Sequence, residues 1–305
     1  MKTLNLIACS LVALMIASCS KERIELKPQL NAYSSPNAYL DSKKQAEQEF
    51  IITDTSQGPI VGNQGTTIWG SKNCLRMPNG DTVSYPFTLK LVELYTPADM
   101  IYYQIPTVSS NRILATDGEI RIRTFKNGTE LNLLPGCTGL MVSMPNDAPV
   151  PGSRKKFYGV NAGSFVDFTD DISSLLGVPS SQSPIWGVDT IGYNAIIEKF
   201  GWINCAQLAG SNSGSTLTFA SNVDDLTNVA IFAYLPVTKT VIQAYNQSMG
   251  IIPNGTDVKI IAIAVDGNGG LFSFYQQLNV GASQTIQVTM SQTTDAQLTA
   301  LLNSL

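Results

Sequence analysis

The stretch Phe87-Thr88-Leu89-Lys90-Leu91 alternates strictly between apolar and polar side chains. Successive side chains of an extended strand point to opposite faces, so the three apolar residues share one face and the two polar residues share the other. This period of two is typical of a β-strand that packs one face against a core. The stretch therefore predicts a half-buried sheet in this part of the chain.

The same alternation continues on both sides of Lys126-Asn127-Gly128. Glu119 to Phe125 and Thr129 to Leu133 are short strand-like runs, and an Asn-Gly pair between two such runs is a strong hairpin signal. Further turn signals occur at Pro78-Asn79-Gly80-Asp81 and at Thr116-Asp117-Gly118. The first half of the chain is therefore predicted to be almost entirely β.

Strand-like runs resume after Pro145 to Ser153, a segment with three prolines and one glycine. Asp170 is placed to cap a short helix that Gly177 would end, and Asp295 to Leu302 predicts a closing helix. Many short antiparallel strands favour sandwiches over α/β units. We expect a mainly β chain with two antiparallel β-sandwich-like domains, at residues 50–148 and 153–305, and one or two short helices.

The N-terminus reads as an export signal. Lys2 precedes an apolar run from Leu4 to Ile16, which is shorter than the roughly 20 residues that span a bilayer. Ile16-Ala17-Ser18-Cys19 matches the bacterial lipobox, so residues 1–18 are expected to be removed and Cys19 to be acylated. An ordinary signal peptide with a coincidental cysteine is the alternative. Residues 19–49 are predicted to be a lipidated N-terminus and a polar, flexible tether.

Composition excludes several classes of function. The 305 residues are 44% apolar and 14% charged, with 19 Lys and Arg against 23 Asp and Glu. Without a basic excess, we expect no nucleic-acid partner. The chain has 0 histidines, which excludes Ser-His-Asp and Cys-His nucleophile systems, HExxH metalloproteases and His-ligated metal sites. We expect no catalytic residues, no metal and no cofactor.

Three cysteines remain after Cys19, namely Cys74, Cys137 and Cys205. An exported protein can form disulfides, and Cys74 and Cys137 lie in the same half of the chain and can pair. Three free buried thiols are the alternative. No CxxC spacing supports a redox motif or a zinc ribbon.

Carboxylates are the remaining candidates for catalysis. Glu93 interrupts a strong strand and Glu198 lies inside another, but each can equally pair with a cation such as Arg121, Arg123 or Lys199. The adjacent pairs Asp170-Asp171 and Asp224-Asp225 are better explained as caps or turns. Asp266-Gly267-Asn268-Gly269-Gly270 has the oxygen spacing of a calcium loop, yet a glycine-rich hairpin between two apolar strands is the favoured interpretation.

Aromatic residues suggest a sugar-binding hypothesis. Trp186 follows a polar segment in a predicted loop, and with Tyr193 it is the candidate ligand platform, whereas Trp202 is expected in the core. Two exported-protein O-glycosylation signals are also suggested, because Asp81-Thr82-Val83 and Asp189-Thr190-Ile191 resemble the acceptor pattern at Thr82 and Thr190.

Two sets of motifs resemble known proteins. One set resembles the opening of a ZU5-like β-sandwich domain. It consists of Gly62-Asn63-Gln64-Gly65-Thr66-Thr67-Ile68, Pro78-Asn79-Gly80, Leu89 to Glu93 and Asp99-Met100. Together with Gly201-Trp202-Ile203-Asn204-Cys205, these motifs resemble a group of uncharacterised Bacteroidota-type surface lipoproteins. The resemblance implies a two-part, mostly β, envelope-anchored protein without catalytic residues. Self-cleavage at His-Phe-Ser, known for some ZU5 proteins, is not implied, because Leu271 precedes Phe272-Ser273.

These observations predict an outer-membrane-anchored lipoprotein that acts as a non-enzymatic binding or interaction module. The membrane would be reached through the lipid anchor, and the partner would be a glycan or an envelope protein. Two alternatives stay open: a carboxylate-based exported glycoside hydrolase and a purely structural component of surface assembly.

Overall fold

The fold is known from a computed structural model, which describes residues 33–54, 58–145, 154–163, 165–189, 192–210 and 213–305. The predicted signal peptide, Cys19 and Thr190 lie outside the described residues. Among the helices that are described, none combines the length and the apolar character needed to cross a membrane.

The described residues are mainly β, as the alternation predicted. The strands, in chain order, are β1 (Gln48–Ile52), β2 (Ile60–Val61), β3 (Thr67–Gly70), β4 (Leu75–Arg76), β5 (Phe87–Leu94), β6 (Val108–Ser109), β7 (Arg112–Lys126), β8 (Thr129–Glu130), β9 (Asn132–Leu133), β10 (Leu140–Pro145), β11 (Lys155–Ala162), β12 (Phe165–Thr169), β13 (Gly187–Val188), β14 (Gly192–Ile196), β15 (Gly201–Leu208), β16 (Ser215–Ala220), β17 (Val229–Leu235), β18 (Thr240–Gln243), β19 (Ser248–Ile252), β20 (Thr256–Val265), β21 (Leu271–Val280), β22 (Gln284–Gln287) and β23 (Ser291–Thr293).

Four sheets build two sandwiches. The central sheet has the strand order β1-β5-β7-β15-β11-β12, and the first outer sheet has the order β13-β14-β10-β3-β2. The inner sheet of the second sandwich has the order β18-β17-β20-β21-β23, and the second outer sheet has the order β19-β16-β22. Pairing is antiparallel throughout these sheets except between β16 and β22. A separate two-stranded pair joins β4 to β9.

Three hydrophobic cores separate these layers, and single strands serve two of them. On β5, Leu89 and Leu91 face the core shared with the first outer sheet, whereas Val92 and Leu94 face the opposite side. The core on this opposite side lies between the central and inner sheets and is called the middle core. Phe232 of β17 also belongs to it. The central sheet is therefore buried on both faces, which explains why β5 carries more apolar residues than a half-buried strand needs.

The predicted boundary between the domains is wrong. β15 pairs with β7, so that Ile203 lies opposite Ile120 and Trp202 opposite Arg121, and the sheet continues through β11 and β12. β10, which precedes the proline-rich segment, and β11, which follows it, therefore belong to two sheets of one sandwich rather than to two domains. The second sandwich begins only at Ser215, after β15 ends at Leu208, and residues 33 to 305 belong to one compact unit.

The predicted tether is wrong for residues 33–49. Helix α1 (Pro36–Lys43) begins after Ser35, whose side chain accepts a hydrogen bond from the amide of Ala38. Tyr39 and Leu40 of this helix are fully buried in the middle core. Pro36, Tyr39 and Leu40 are the buried residues of these two turns, and three residues are too few to produce a sustained period in the sequence.

Four short helices are described rather than one or two. Besides α1, they are α2 (Pro97–Tyr103), α3 (Ile172–Leu176) and α4 (Asp295–Asn303). The sequence predicted α3 and α4, although Asp171 rather than Asp170 caps α3. Thr294 and Gln297 form a capping box at α4. The Asn127-Gly128 hairpin is also confirmed, with Phe125 opposite Glu130 and positive φ values of 51° and 79° in the turn.

Candidate functional site

An apolar cavity of about 300 Å³ lies between the central sheet and the first outer sheet. Four aromatic side chains line it: Trp69, Tyr85, Phe87 and Phe200. The rings of Tyr85 and Phe87 stack 5.7 Å apart, and the Lys72 ammonium lies 5.6 Å from the centre of the Tyr85 ring. These contacts hold an aromatic wall in place at one side of the cavity.

The cavity has a buried end and an exposed mouth. Ile68, Leu89 and Leu140 line it from within the core, whereas Gly58 and Pro59 line it at the surface. A molecule that enters through the mouth would therefore leave water for an apolar environment, which is the main source of affinity for apolar ligands.

Thr124 is a polar residue among the apolar residues that line the buried end of the cavity. It continues the inward row of β7 after Ile120 and Ile122, and it is 1% exposed. Its hydroxyl has no hydrogen-bond partner among the described residues. An unpaired buried hydroxyl costs about 1–3 kcal/mol, so this side chain is conspicuous in an otherwise apolar row.

A disulfide links two segments that contribute to the wall of the cavity. Cys74 and Cys137 are bonded, which decides between the two alternatives that the sequence left open. Leu75 follows one cysteine and Leu140 lies shortly after the other, and both line the cavity. Cys205 is free and buried in the core, and burial raises the pKa of its thiol well above the ordinary value.

The predicted ligand platform is wrong. Trp186 is 2% exposed and Tyr193 is 0% exposed, and both belong to the core between the central and first outer sheets. The amide of Trp186 donates to the carbonyl of Arg154, which turns the loop inward. Tyr193 lies beside the buried ion pair of Arg154 and Asp117, and burial together with this carboxylate raises its pKa. Trp202 lies in the core as predicted, with Arg121 stacked 5.0 Å from its ring centre.

The Glu93 carboxylate accepts hydrogen bonds from a backbone turn rather than pairing with a cation. Its carboxylate accepts hydrogen bonds of 2.9 Å from the backbone amides of Gln64 and Thr66, and another of 2.7 Å from the Gln48 side chain. A side chain at Gly62 would collide with this carboxylate, since a Cβ there would lie 2.6 Å from it. Glu93 therefore fixes the connection between β2 and β3, which contribute to the cavity wall.

The other acidic candidates also have local partners. Glu198 accepts hydrogen bonds from Ser180 and Ser181. Glu119, which the sequence did not single out, is fully buried and accepts one of 2.9 Å from Asn204. Burial raises the pKa of Glu119 well above its ordinary value. These contacts support structural roles for both glutamates.

The surface aspartates are engaged in the same way. Asp170 pairs with Lys155, Asp224 accepts from the amide of Met290, and the second member of each adjacent pair caps a helical turn. Asp266 accepts from the amides of Asn268 and Gly270, as a hairpin loop requires. Within the described ranges, no three His, Cys, Asp or Glu side chains cluster as a metal site would need. Thr82 is exposed, which leaves it accessible to modification.

Sequence reasoning missed the cavity residues, including Trp69, Phe200 and Thr124. For Thr124 a signal exists, because Ile120, Ile122 and Thr124 share one face of a strand and only the last is polar. The aromatic wall has no such signal, since its members come from distant parts of the chain.

No family model and no curated protein matches this chain. Among solved structures, it is similar to the gamma-CGTase from alkalophilic Bacillus clarkii, with 11% sequence identity and a TM-score of 0.19. The match covers 80% of this chain and 41% of that enzyme, so the chain spans less than half of the enzyme's length. A likeness this weak carries no argument about function.

Proposed function

We propose that the chain is an envelope-anchored, non-enzymatic binding protein whose ligand site is the cavity between the central and first outer sheets. The observation that carries this proposal is the cavity itself, with about 300 Å³, aromatic walls and a buried end. Small-molecule sites are typically mostly apolar concavities of this size or larger, with few polar groups. The lipobox sequence before Cys19 supports the anchor.

The lining favours a compact apolar ligand over a glycan. Burying about 200 Å² of apolar ligand surface contributes about 5 kcal/mol at 25 cal/mol per Å², before the cost of association is subtracted. A sugar would leave most of its hydroxyls without partners in this cavity, at a cost for each.

Binding of the fluorescent apolar probe N-phenyl-1-naphthylamine tests the proposal. The chain from Lys21 to Leu305 is used, which contains the compact unit but neither the lipidated cysteine nor the apolar run from Leu4 to Ile16, so that no detergent is needed. We expect saturable binding of the probe. Gly58→Trp should weaken it at least tenfold, because Gly58 lines the mouth and an indole there would narrow the entrance, while the open space around its Cβ lets the chain accept the substitution.

Gly281→Trp is the matched control, since Gly281 is equally unobstructed and does not line the cavity. Its probe affinity should equal that of the parent chain. Absence of probe binding, or equal weakening by both substitutions, would contradict the proposed site.

The anchor is tested separately. Mass spectrometry of the wild-type chain should find acyl groups on Cys19 and a chain that begins there. Protease treatment of intact cells, with an epitope after Leu305 and a periplasmic protein as lysis control, then determines on which side of the outer membrane the chain lies.

A further inference from the structure

We infer that a second concave surface, between the two sandwiches, binds a neutral carbohydrate chain. This surface, called the groove, has two parts of about 440 and 350 Å³, and Phe165 of β12 lines both of them. The inference goes beyond the proposed function, because the groove shares no lining residue with the apolar cavity.

Two tight turns lie beside the first part of the groove. Ser110-Asn111 joins β6 to β7, and Asn246-Gln247 leads from Tyr245 into β19; all four residues have positive φ, between 49° and 63°. The Ser110 amide donates to the Asp167 carboxylate at 3.1 Å, and Tyr245 and Ser248 exchange backbone hydrogen bonds of 2.9 and 3.1 Å. These bonds hold both turns in place, so that little ordering is required when a ligand binds.

An aromatic pair lies in the groove. The ring centres of Phe165 and Tyr245 are 4.8 Å apart, and the ring planes are inclined at 31°. Both residues line the groove and are partly exposed, and the Tyr245 hydroxyl donates to the Gln243 side chain at 3.2 Å. Aromatic side chains offer a large apolar surface in a rigid shape, on which the apolar face of a sugar ring can pack.

Accessible side-chain amides accompany the aromatic pair. Asn111 lines the first part of the groove, and Asn37 and Asn161 line the second. All three residues are exposed, and within the described part of the chain their side-chain amides have no hydrogen-bond partner. An amide both donates and accepts, as the hydroxyl groups of a sugar do, so these side chains suit a ligand that is rich in hydroxyls.

The lining also argues for a neutral ligand. Of the described residues that line either part of the groove, none is charged. A polyanion would therefore lose hydration on binding without gaining a cation, and a basic peptide would find no carboxylate.

An extended peptide is a poorer fit than a carbohydrate for a second reason. Such peptides bind mainly by main-chain pairing with a free strand edge. At β18, beside the groove, the Val241 carbonyl accepts from the Thr107 amide at 2.8 Å and the Val241 amide donates to the Thr107 hydroxyl at 2.7 Å. This part of the edge is therefore already occupied.

Affinity electrophoresis of the chain from Lys21 to Leu305 tests the inference. Each native gel contains one neutral polysaccharide, namely amylopectin, galactomannan, xyloglucan or dextran, and a further gel contains the polyanion alginate. We expect retardation in at least one neutral gel and none in alginate. Unchanged migration in every neutral gel, or retardation by alginate as strong as by the neutral polymers, would overturn the inference.

A matched pair of substitutions assigns the binding to the groove. Tyr245→Ala should weaken it at least about tenfold, the scale that is usual when an aromatic contact residue is truncated. Tyr275→Ala is the control, since Tyr275 is 43% exposed on β21 and lines neither part of the groove. Its affinity should equal that of the parent chain, and equal weakening by both substitutions would contradict the assignment.

Asn161→Ala provides a test that does not depend on the aromatic pair. It should weaken binding about three- to tenfold, the value of one net hydrogen bond, and leave thermal unfolding unchanged, because the amide has no partner in the described chain. If Tyr245→Ala unfolds, Asn161→Ala decides alone. Parent-like affinity of Asn161→Ala, or of a folded Tyr245→Ala, would overturn the inference.

The groove and the apolar cavity are separable by the same variants. Tyr245→Ala should leave the binding of N-phenyl-1-naphthylamine unchanged, and Gly58→Trp should leave the retardation by polysaccharide unchanged. Failure of carbohydrate binding is therefore distinguishable from failure of the proposed function.

Discussion

Loss of the disulfide between Cys74 and Cys137 should destabilise the whole fold and weaken the cavity wall. The cross-link closes a loop with a sequence separation of 63 residues. In the chain-entropy description, closing a loop of this length removes about 14 cal/mol/K from the unfolded state, or about 4 kcal/mol at 25 °C. That is a large fraction of the 5–15 kcal/mol by which domains are usually stable.

The assay is urea unfolding followed by tryptophan fluorescence, with and without a phosphine reductant. Reduction of the wild-type chain isolates the cross-link, because both sulfur atoms stay in place. A chain carrying Cys74→Ser and Cys137→Ser should match the reduced wild type to within about 1 kcal/mol. It should also be insensitive to the reductant, since its Cys205 is buried and free.

Two results would refute this reasoning. One is a stability difference below about 1 kcal/mol between the oxidised and reduced wild type, which would mean that the loop is already restrained without the bond. The other is a loss of stability when the doubly substituted chain is reduced, which would place the redox effect elsewhere. A parallel titration with N-phenyl-1-naphthylamine should show weaker binding after reduction, because Leu75 and Leu140 follow the two cysteines closely.

Three further predictions concern buried polar and apolar groups. Glu119 has a raised pKa, so the folded state binds more protons than the unfolded state, and its contribution to stability falls as pH rises above its ordinary value of 4.5. Glu119→Gln should therefore gain stability over wild type at pH 8 but not at pH 4 in urea unfolding; an equal gain at both would contradict this assignment. Glu93→Gln should cost about 2 kcal/mol, measured the same way, because an amide replaces a carboxylate that accepts two backbone hydrogen bonds; an unchanged midpoint would argue against its role in the turn. Leu40→Ala should cost about 3 kcal/mol in urea unfolding, because Leu40 is fully buried in the middle core; an unchanged free energy of unfolding would indicate a free tether instead.

Local patterns predicted the strands well, because alternation is a property of neighbouring residues. The predicted runs Phe87 to Leu91 and Glu119 to Phe125 lie within β5 and β7, respectively. What alternation does not contain is which strands pair. β7 and β15 are separated by more than 70 residues. Because they pair, the first sandwich extends to Leu208 and does not end at the predicted residue 148.

The site was less predictable for a related reason. An exposed tryptophan and a buried one look alike in the sequence, and Trp186 is buried because its loop bonds back to Arg154. The disulfide was anticipated only as one of two alternatives, since spacing alone does not bring sulfur atoms together. Thr124 was the one cavity residue with a readable signal, as a polar side chain in an apolar row.

The hydrogen bonds between α1 and α4 have a consequence for folding during synthesis. Tyr33 and Lys43 both bind Asp295, the latter at 2.5 Å, and Tyr39 contacts Thr299. Residues 33–43 are synthesised more than 250 residues before Asp295 and Thr299 (295 − 43 = 252). A nascent chain stalled before Asp295 would therefore lack these three bonds, and residues 33–43 would be held only by the packing of Tyr39 and Leu40 in the middle core.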